Sequence, residues 1–149
     1  MSRKKKIYVL QGTQKKGKSA TMIYLWHAIA EKYNKTEDDA INLFTDSENY
    51  DFVYAIKAVA GHTVGINARG DDWEWIERYL AKLAEENCDI IFCTCHSYGK
   101  TEETVNVFAK KHGYEVEFIQ KDIEESDSEK RQESMNKTQA EKILAAAGL

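Results

Sequence analysis

Proline is absent from all 149 residues, so no element is kinked or closed by that ring, and turns fall to glycine and short polar side chains. Arginine is scarce as well: Arg3, Arg69, Arg78 and Arg131 are the whole complement. No apolar run is long enough to span a bilayer, and the basic start leads into only the short run IYVL at 7–10. Neither a membrane span nor a signal peptide is therefore expected, and a cytoplasmic location follows as the default. Internal repeats and low-complexity linkers are missing. Cysteine is limited to Cys88, Cys93 and Cys95, an odd number with two members in an apolar run, which reads as reduced buried thiols rather than a disulfide frame. The CTCH stretch at 93–96 holds metal-ligand residue types, and Cys93 and Cys95 would share one face of a strand. A structural zinc site needs four ligands, however, and no second cluster exists to complete one.

What is present fits one globular domain spanning 1–149, with 42% hydrophobic and 31% charged residues and a formal net charge of -4. That balance argues against a global nucleic-acid or membrane binder, although charge is locally uneven. Residues 1–19 carry Arg3, Lys4, Lys5, Lys6, Lys15, Lys16 and Lys18 with no acid, whereas 117–129 holds six acids and one lysine. The first cluster, SRKKK, is read as a solvated end before the first strand.

Periodicity supplies an alternating order of elements. Residues 7–10 form a short β-type run, and Met22, Leu25, Trp26, Ile29, Ala30 and Tyr33 then recur at i, i+3, i+4 spacing as one helical stripe. TEDDAINLFTDSE is ambiguous between a short helix capped by Thr36 and a strand through AINLF. Residues 52–59 read as a strand that turns at Gly61-His62 into a partner over 63–67, an antiparallel hairpin. Asp71 or Asp72 can cap the next helix, whose inward residues are Trp73, Ile76, Leu80, Leu83 and Ala84, and which stops near Asn87. DIIFCTC at 89–95 has the near-continuous apolar character of a central parallel strand covered on both faces. Thr101 can cap a further helix, with Val105, Phe108, Ala109 and His112 on one stripe and Gly113 as its stop. Residues 115–119 make a weaker last strand. A charged terminal helix over about 126–147 docks through Ala140, Ile143, Leu144 and Ala147. Trp73 is assigned to the core, and Trp75, on another face, can lie at a subunit interface, so an oligomer is possible.

Strands alternating with helices in this way indicate an α/β three-layer sandwich, a mostly parallel sheet with one antiparallel hairpin, whose ligands bind at the carboxyl ends of the strands. At such an end stands GTQKKGKS, which fits G-x-x-x-x-G-K-[ST] at every fixed position: Gly12, Thr13, Gln14, Lys15, Lys16, Gly17, Lys18 and Ser19, with Ala20 following on the helix. A strand precedes it and an amphipathic helix follows, the context the motif requires. The stretch resembles the Walker A loop of the P-loop NTPase superfamily. The resemblance is detailed over 7–33 and implies that backbone N–H groups curve around phosphate, that Lys18 reaches the terminal phosphates, and that the Ser19 hydroxyl binds Mg2+.

Such a site also needs a carboxylate. No apolar run ends in aspartate, since DIIFCTC runs into His96. Asp71 in GINARGDD is the preferred metal partner or water-orienting group, against the reading in which it caps a helix. Asp46 and Glu48 in FTDSE form a second pair, able to serve as metal ligand or as base toward an acceptor hydroxyl, against the reading as an ordinary polar loop. His96, Ser97 and Lys100 can contact phosphate or a second substrate, or simply form a turn and cap. Arg69 can neutralise charge developing on a transferred phosphate.

Three functions remain: Mg2+-dependent ATP hydrolysis or switching, a compact kinase acting on a small acceptor such as a nucleoside or nucleotide, and non-catalytic nucleotide binding. Kinases of the superfamily usually surround the phosphates with several arginines, which this chain lacks. ATP is favoured over GTP because no N-K-x-D guanine signature occurs; Asn136-Lys137 is followed by Thr138 and Gln139.

Overall fold

The computed structural model describes residues 4–12, 18–46, 51–68, 72–95, 99–121 and 129–149. Six strands and four helices make up the described chain. Strand β1 (Lys5–Gln11) leads to helix α1 (Lys18–Tyr33), then β2 (Ala40–Asp46), β3 (Asp51–Val59), β4 (His62–Asn67), α2 (Trp73–Glu85), β5 (Ile90–Cys95), α3 (Lys100–His112), β6 (Tyr114–Gln120) and α4 (Glu129–Ala146). The strands form one sheet in the order β2-β3-β4-β5-β1-β6. The β4–β5, β5–β1 and β1–β6 pairs are parallel, and β2–β3–β4 is an antiparallel meander, so the α/β sandwich with its hairpin is confirmed.

Alternation along the strands divides the core between two faces. In β1, Tyr8 and Leu10 point to the side covered by α1 and α4, where they meet Met22, Leu25, Ile29 and Ile143. Ile7 and Val9 point to the side covered by α2 and α3, where they meet Ile76, Leu80, Leu83 and Val105. All six residues of β5 are buried because helices lie on both of its faces and strands on both of its edges, which is why DIIFCTC shows no polar alternation. Gly65 in β4 is needed for space: a Cβ there would stand 2.9 Å from Leu83 Cδ2 and 3.1 Å from Cys88 Sγ.

Local signals set several boundaries. Asn34 adopts a left-handed φ of 54° just past α1, and Gly113 does the same at 77° past α3, each supplying the conformation that ends a helix. TEDDAINLF contains both structures weighed for it. A 3₁₀ turn over Glu37–Asp39 is capped by Thr36, whose N–H donates to Asp39 Oδ2 at 2.8 Å, and β2 follows at once.

Two expectations are corrected. Thr101 does not cap α3. Gly99, at φ 83°, holds the cap position, so the helix starts two residues earlier than Thr101 as cap would allow and draws that threonine, buried, into its first turn. The second correction concerns Trp73, expected in the core. Trp75 packs on the α2/α3 core and stacks on Tyr79 with centroids 6.0 Å apart. Trp73, the first residue of α2, is half-buried like Trp75 but stands outside both core clusters, and it carries the Lys100 ammonium 3.8 Å from its ring centroid. Among the described residues no helix is long and apolar enough to cross a membrane.

Candidate nucleotide-binding site

Strand register brings the chemically interesting residues to one end of the sheet. Gln11 is level with Cys95 on one side and with Gln120 on the other. The Gly12 N–H donates to Cys95 O at 3.2 Å, and the Lys121 N–H donates to Gln11 O at 2.7 Å, so the ends of β5, β1 and β6 converge where β1 leaves the sheet. Helix α1 starts there with Lys18. Its side chain is only 6% exposed, and its Nζ donates to Gly12 O at 3.0 Å and to Cys95 O at 3.2 Å. A lysine on carbonyl oxygens at a helix start is ready to exchange those neutral acceptors for phosphate oxygens, which hold a cation more strongly. Ser19 and Ala20 follow, both half-buried. Thr13, Gln14, Lys15, Lys16 and Gly17 lie outside the described residues.

Gly12 matters for a reason other than unusual backbone angles. A Cβ at this position would stand 3.0 Å from Lys121 Cβ and 3.7 Å from Lys18 Cδ, so two lysine stems close on the residue from either side. Only a residue without a side chain lets them approach.

Beside Gly12, side-chain amides tie the strand ends to the helices. Gln11 Nε2 donates to Glu102 Oε2 at 2.8 Å, Gln120 Nε2 donates to Gln11 Oε1 at 2.7 Å, and Gln139 Nε2 donates to Gln120 O at 2.8 Å. The series links α3, β1, β6 and α4, so the cradle rests on a cross-braced base. Sequence reasoning missed Gln11, Gln120 and Lys121. Their one available signal was that each stands at or next to the end of a strand beside the motif.

The acidic candidates separate. Asp72 is the cap of α2, its carboxylate accepting from the Glu74 N–H at 2.9 Å. Asp71, like Arg69, His96, Ser97 and Glu48, falls outside the described residues. Asp46 ends β2 directly opposite Asp51. Through the pairing of Val53 with Asn67 and of Asn67 with Cys93, these two acids stand level with Cys95 at the same end of the sheet as Lys18. They border a cleft of about 170 Å³ shared with Trp26, His27 and Tyr54. Like charges facing across a strand pair are locally unfavourable, and such local costs concentrate at functional sites.

Cys95 touches the site but is inert. Burial first, and Glu102 second, push its thiol up to about 11 against the pull of Gln11, Lys18 and Thr101. Burial likewise lifts Cys88 and Tyr114 to about 12 and holds Cys93 well above the usual range. In the unfolded chain these groups ionise at their ordinary values of 9.0 and 10.0, before the folded chain does. Their contribution to stability is thus complete below pH 9 and lost as pH rises toward about 12. Denaturant midpoints are expected to stay level from pH 7 to about 8.5 and to fall steadily above pH 9. A midpoint that rises between pH 9 and 11 would contradict this burial.

A phosphate-ready lysine at a strand–loop–helix junction in a mixed α/β sheet defines a P-loop NTPase-type protein. Comparison with protein families narrows this class, because the zeta toxin family model matches residues 1–141. The chain belongs to the zeta toxin family, a P-loop nucleotide-binding, kinase-like family. Comparisons with curated proteins and with solved structures gave no match.

Proposed function

We propose that this chain is a compact ATP-dependent kinase that transfers the γ-phosphate to a hydroxyl of a small acceptor such as a nucleoside or nucleotide, with residues 1–149 acting as one nucleotide-binding domain. The observation that carries this reading is the burial of Lys18 where β1, β5 and β6 converge, in a chain of a kinase-like family. Lys18, with the loop 12–20, binds the phosphates. The Ser19 hydroxyl and the Asp71 carboxylate are hard oxygen donors of the kind Mg2+ takes, and we assign the ion to them. Held there, Mg2+ supplies charge neutralisation on the phosphate oxygens.

Asp46 is the base in this proposal. It takes the proton of the acceptor hydroxyl as that oxygen bonds to the γ-phosphorus, and the bond from phosphorus to the bridging oxygen breaks to leave ADP. Support comes from its place at the carboxyl end of the sheet, beside a cleft with aromatic walls at Trp26 and Tyr54. Lys100, considered for phosphate contact, has its ammonium on the Trp73 ring, which favours the simpler role of starting α3.

One observation favours hydrolysis as a second reading. Of the described arginines, Arg78 stacks on Trp75 at 5.0 Å and Arg131 is exposed on α4, so neither belongs to the strand-end cluster around Lys18. Incubation with Mg2+ and γ-labelled ATP or GTP, with and without a panel of nucleosides and nucleotides, separates the two. The kinase reading expects label in an organic ester that depends on the acceptor. Acceptor-independent release of inorganic phosphate as the sole product would replace it with hydrolysis.

A further inference from the structure

We propose that the outer face of α2 and α3 is a self-association surface, on which a second copy of this chain packs in antiparallel register about a two-fold axis through Val107. The inference is independent of the nucleotide-binding reading, because it uses no residue that reading places at the phosphates.

Shape is the first argument. Helices α2 and α3 leave between them a groove of about 470 Å³, lined on its apolar side by Trp73, Ala81, Val107 and Phe108. A lone exposed valine is ordinary on a protein surface. Val107 differs because, at 60% exposure, it is the one large apolar side chain that the described residues leave open, and it belongs to that groove. A projecting valine and a groove to receive its counterpart thus share one face. A contact made through such a face closes on itself as a dimer instead of propagating as an open chain.

Charge order is the second argument. Glu103, Val107 and Lys111 line the groove at intervals of four residues and form one ridge along α3. The acid and the base stand one turn on either side of the valine, about 6 Å along the helix axis. Turned end for end, the ridge reads base, valine, acid, so a two-fold axis through Val107 sets each Glu103 opposite the Lys111 of the other copy. Two valines meet at the centre and two ion pairs flank them. A parallel pairing in register would instead set acid on acid and base on base. The helix as a whole has the same order, with Glu102 and Glu103 in its first turn and Lys110, Lys111 and His112 in its last.

Availability is the third argument. Glu103 and Lys111 are both exposed, and no ion pair among the described residues holds either of them. Two full turns of helix separate them, which is too far for them to pair with each other within one chain. Exposed ion pairs contribute little affinity, so in this arrangement apolar packing at Val107 and Trp73 holds the copies together and the charges set their register.

Sedimentation equilibrium of the full chain is expected to show a reversible monomer to dimer equilibrium between about 10 μM and 1 mM. Val107→Lys sets two cations together at the axis and is expected to weaken association about tenfold or more. Glu103→Lys and Lys111→Glu each oppose like charges and are expected to weaken it about fivefold or more. Both changes in one chain, or a 1:1 mixture of the two single variants, restore opposite charges across the axis and are expected to return association to within about twofold of wild type. All three positions are exposed on α3, so these substitutions disturb no core contact. A wild type that stays monomeric up to about 1 mM would overturn the proposal and leave the groove to a small molecule or to a different protein. A dimer indifferent to Val107→Lys, or one that the single charge changes weaken and their combination does not recover, would overturn it as well.

Discussion

Lys18→Met is expected to reduce ATP affinity about a hundredfold or more, because two charge-assisted hydrogen bonds to phosphate contribute roughly 1.5–3 kcal/mol each. The same substitution should leave the melting temperature unchanged or raise it. Lys18 is a residue only 6% exposed whose ammonium donates to the carbonyls Gly12 O and Cys95 O, and burying a charge carries a desolvation cost that methionine does not. Loss of binding with retained stability is the signature of a residue kept for its ligand. Calorimetric titration with MgATP beside a thermal melt checks both halves. A variant that binds ATP as tightly as wild type would show that the phosphate cradle has been misplaced.

Asp46→Asn is expected to act on the other half of the reaction. Binding of ATP should stay within about twofold of wild type, since the acid stands at the β2–β3 edge rather than at Gly12, while the transfer rate falls by about 10²–10⁴ as the base is lost. Asparagine preserves the size of the side chain and its place opposite Asp51, so the cleft beside Trp26 should persist. Single-turnover transfer measured at saturating ATP isolates the chemical step. An unchanged rate would move the base elsewhere, Asp71 being the next candidate.

Parts of this molecule were legible in the sequence because one local signal decided them. DIIFCTC could be placed at the centre of the sheet because a strand covered on both faces needs no polar alternation, and all of β5 is indeed buried. Gly113 marked the end of α3 because a left-handed residue costs least as glycine. GTQKKGKS stood out because its spacing, with a strand before it and a helix after it, belongs to one phosphate-binding device.

Other parts depend on neighbours that sequence order does not reveal. Gln11, Gln120 and Lys121 are polar residues at strand ends, and their importance appears only once β6 lies beside β1, an arrangement reached through a crossover. Asp46 looked like a loop residue until the antiparallel run of β2 and β3 carried it back to the end where Lys18 lies. Trp73 was placed in the core because helical spacing gives directions around α2 but not how far the core extends beneath its first turn. Thr101 gave way to Gly99 because a glycine at positive φ can begin a helix without a side-chain cap.

The most direct test of the account is the fate of the γ-phosphate of ATP in a single turnover with the acceptor panel. The account predicts that label leaves ATP for an acceptor ester, that Lys18→Met stops this by removing binding, and that Asp46→Asn stops it with binding intact. Label that appears only as inorganic phosphate, at a rate indifferent to acceptor and to Asp46, would contradict it.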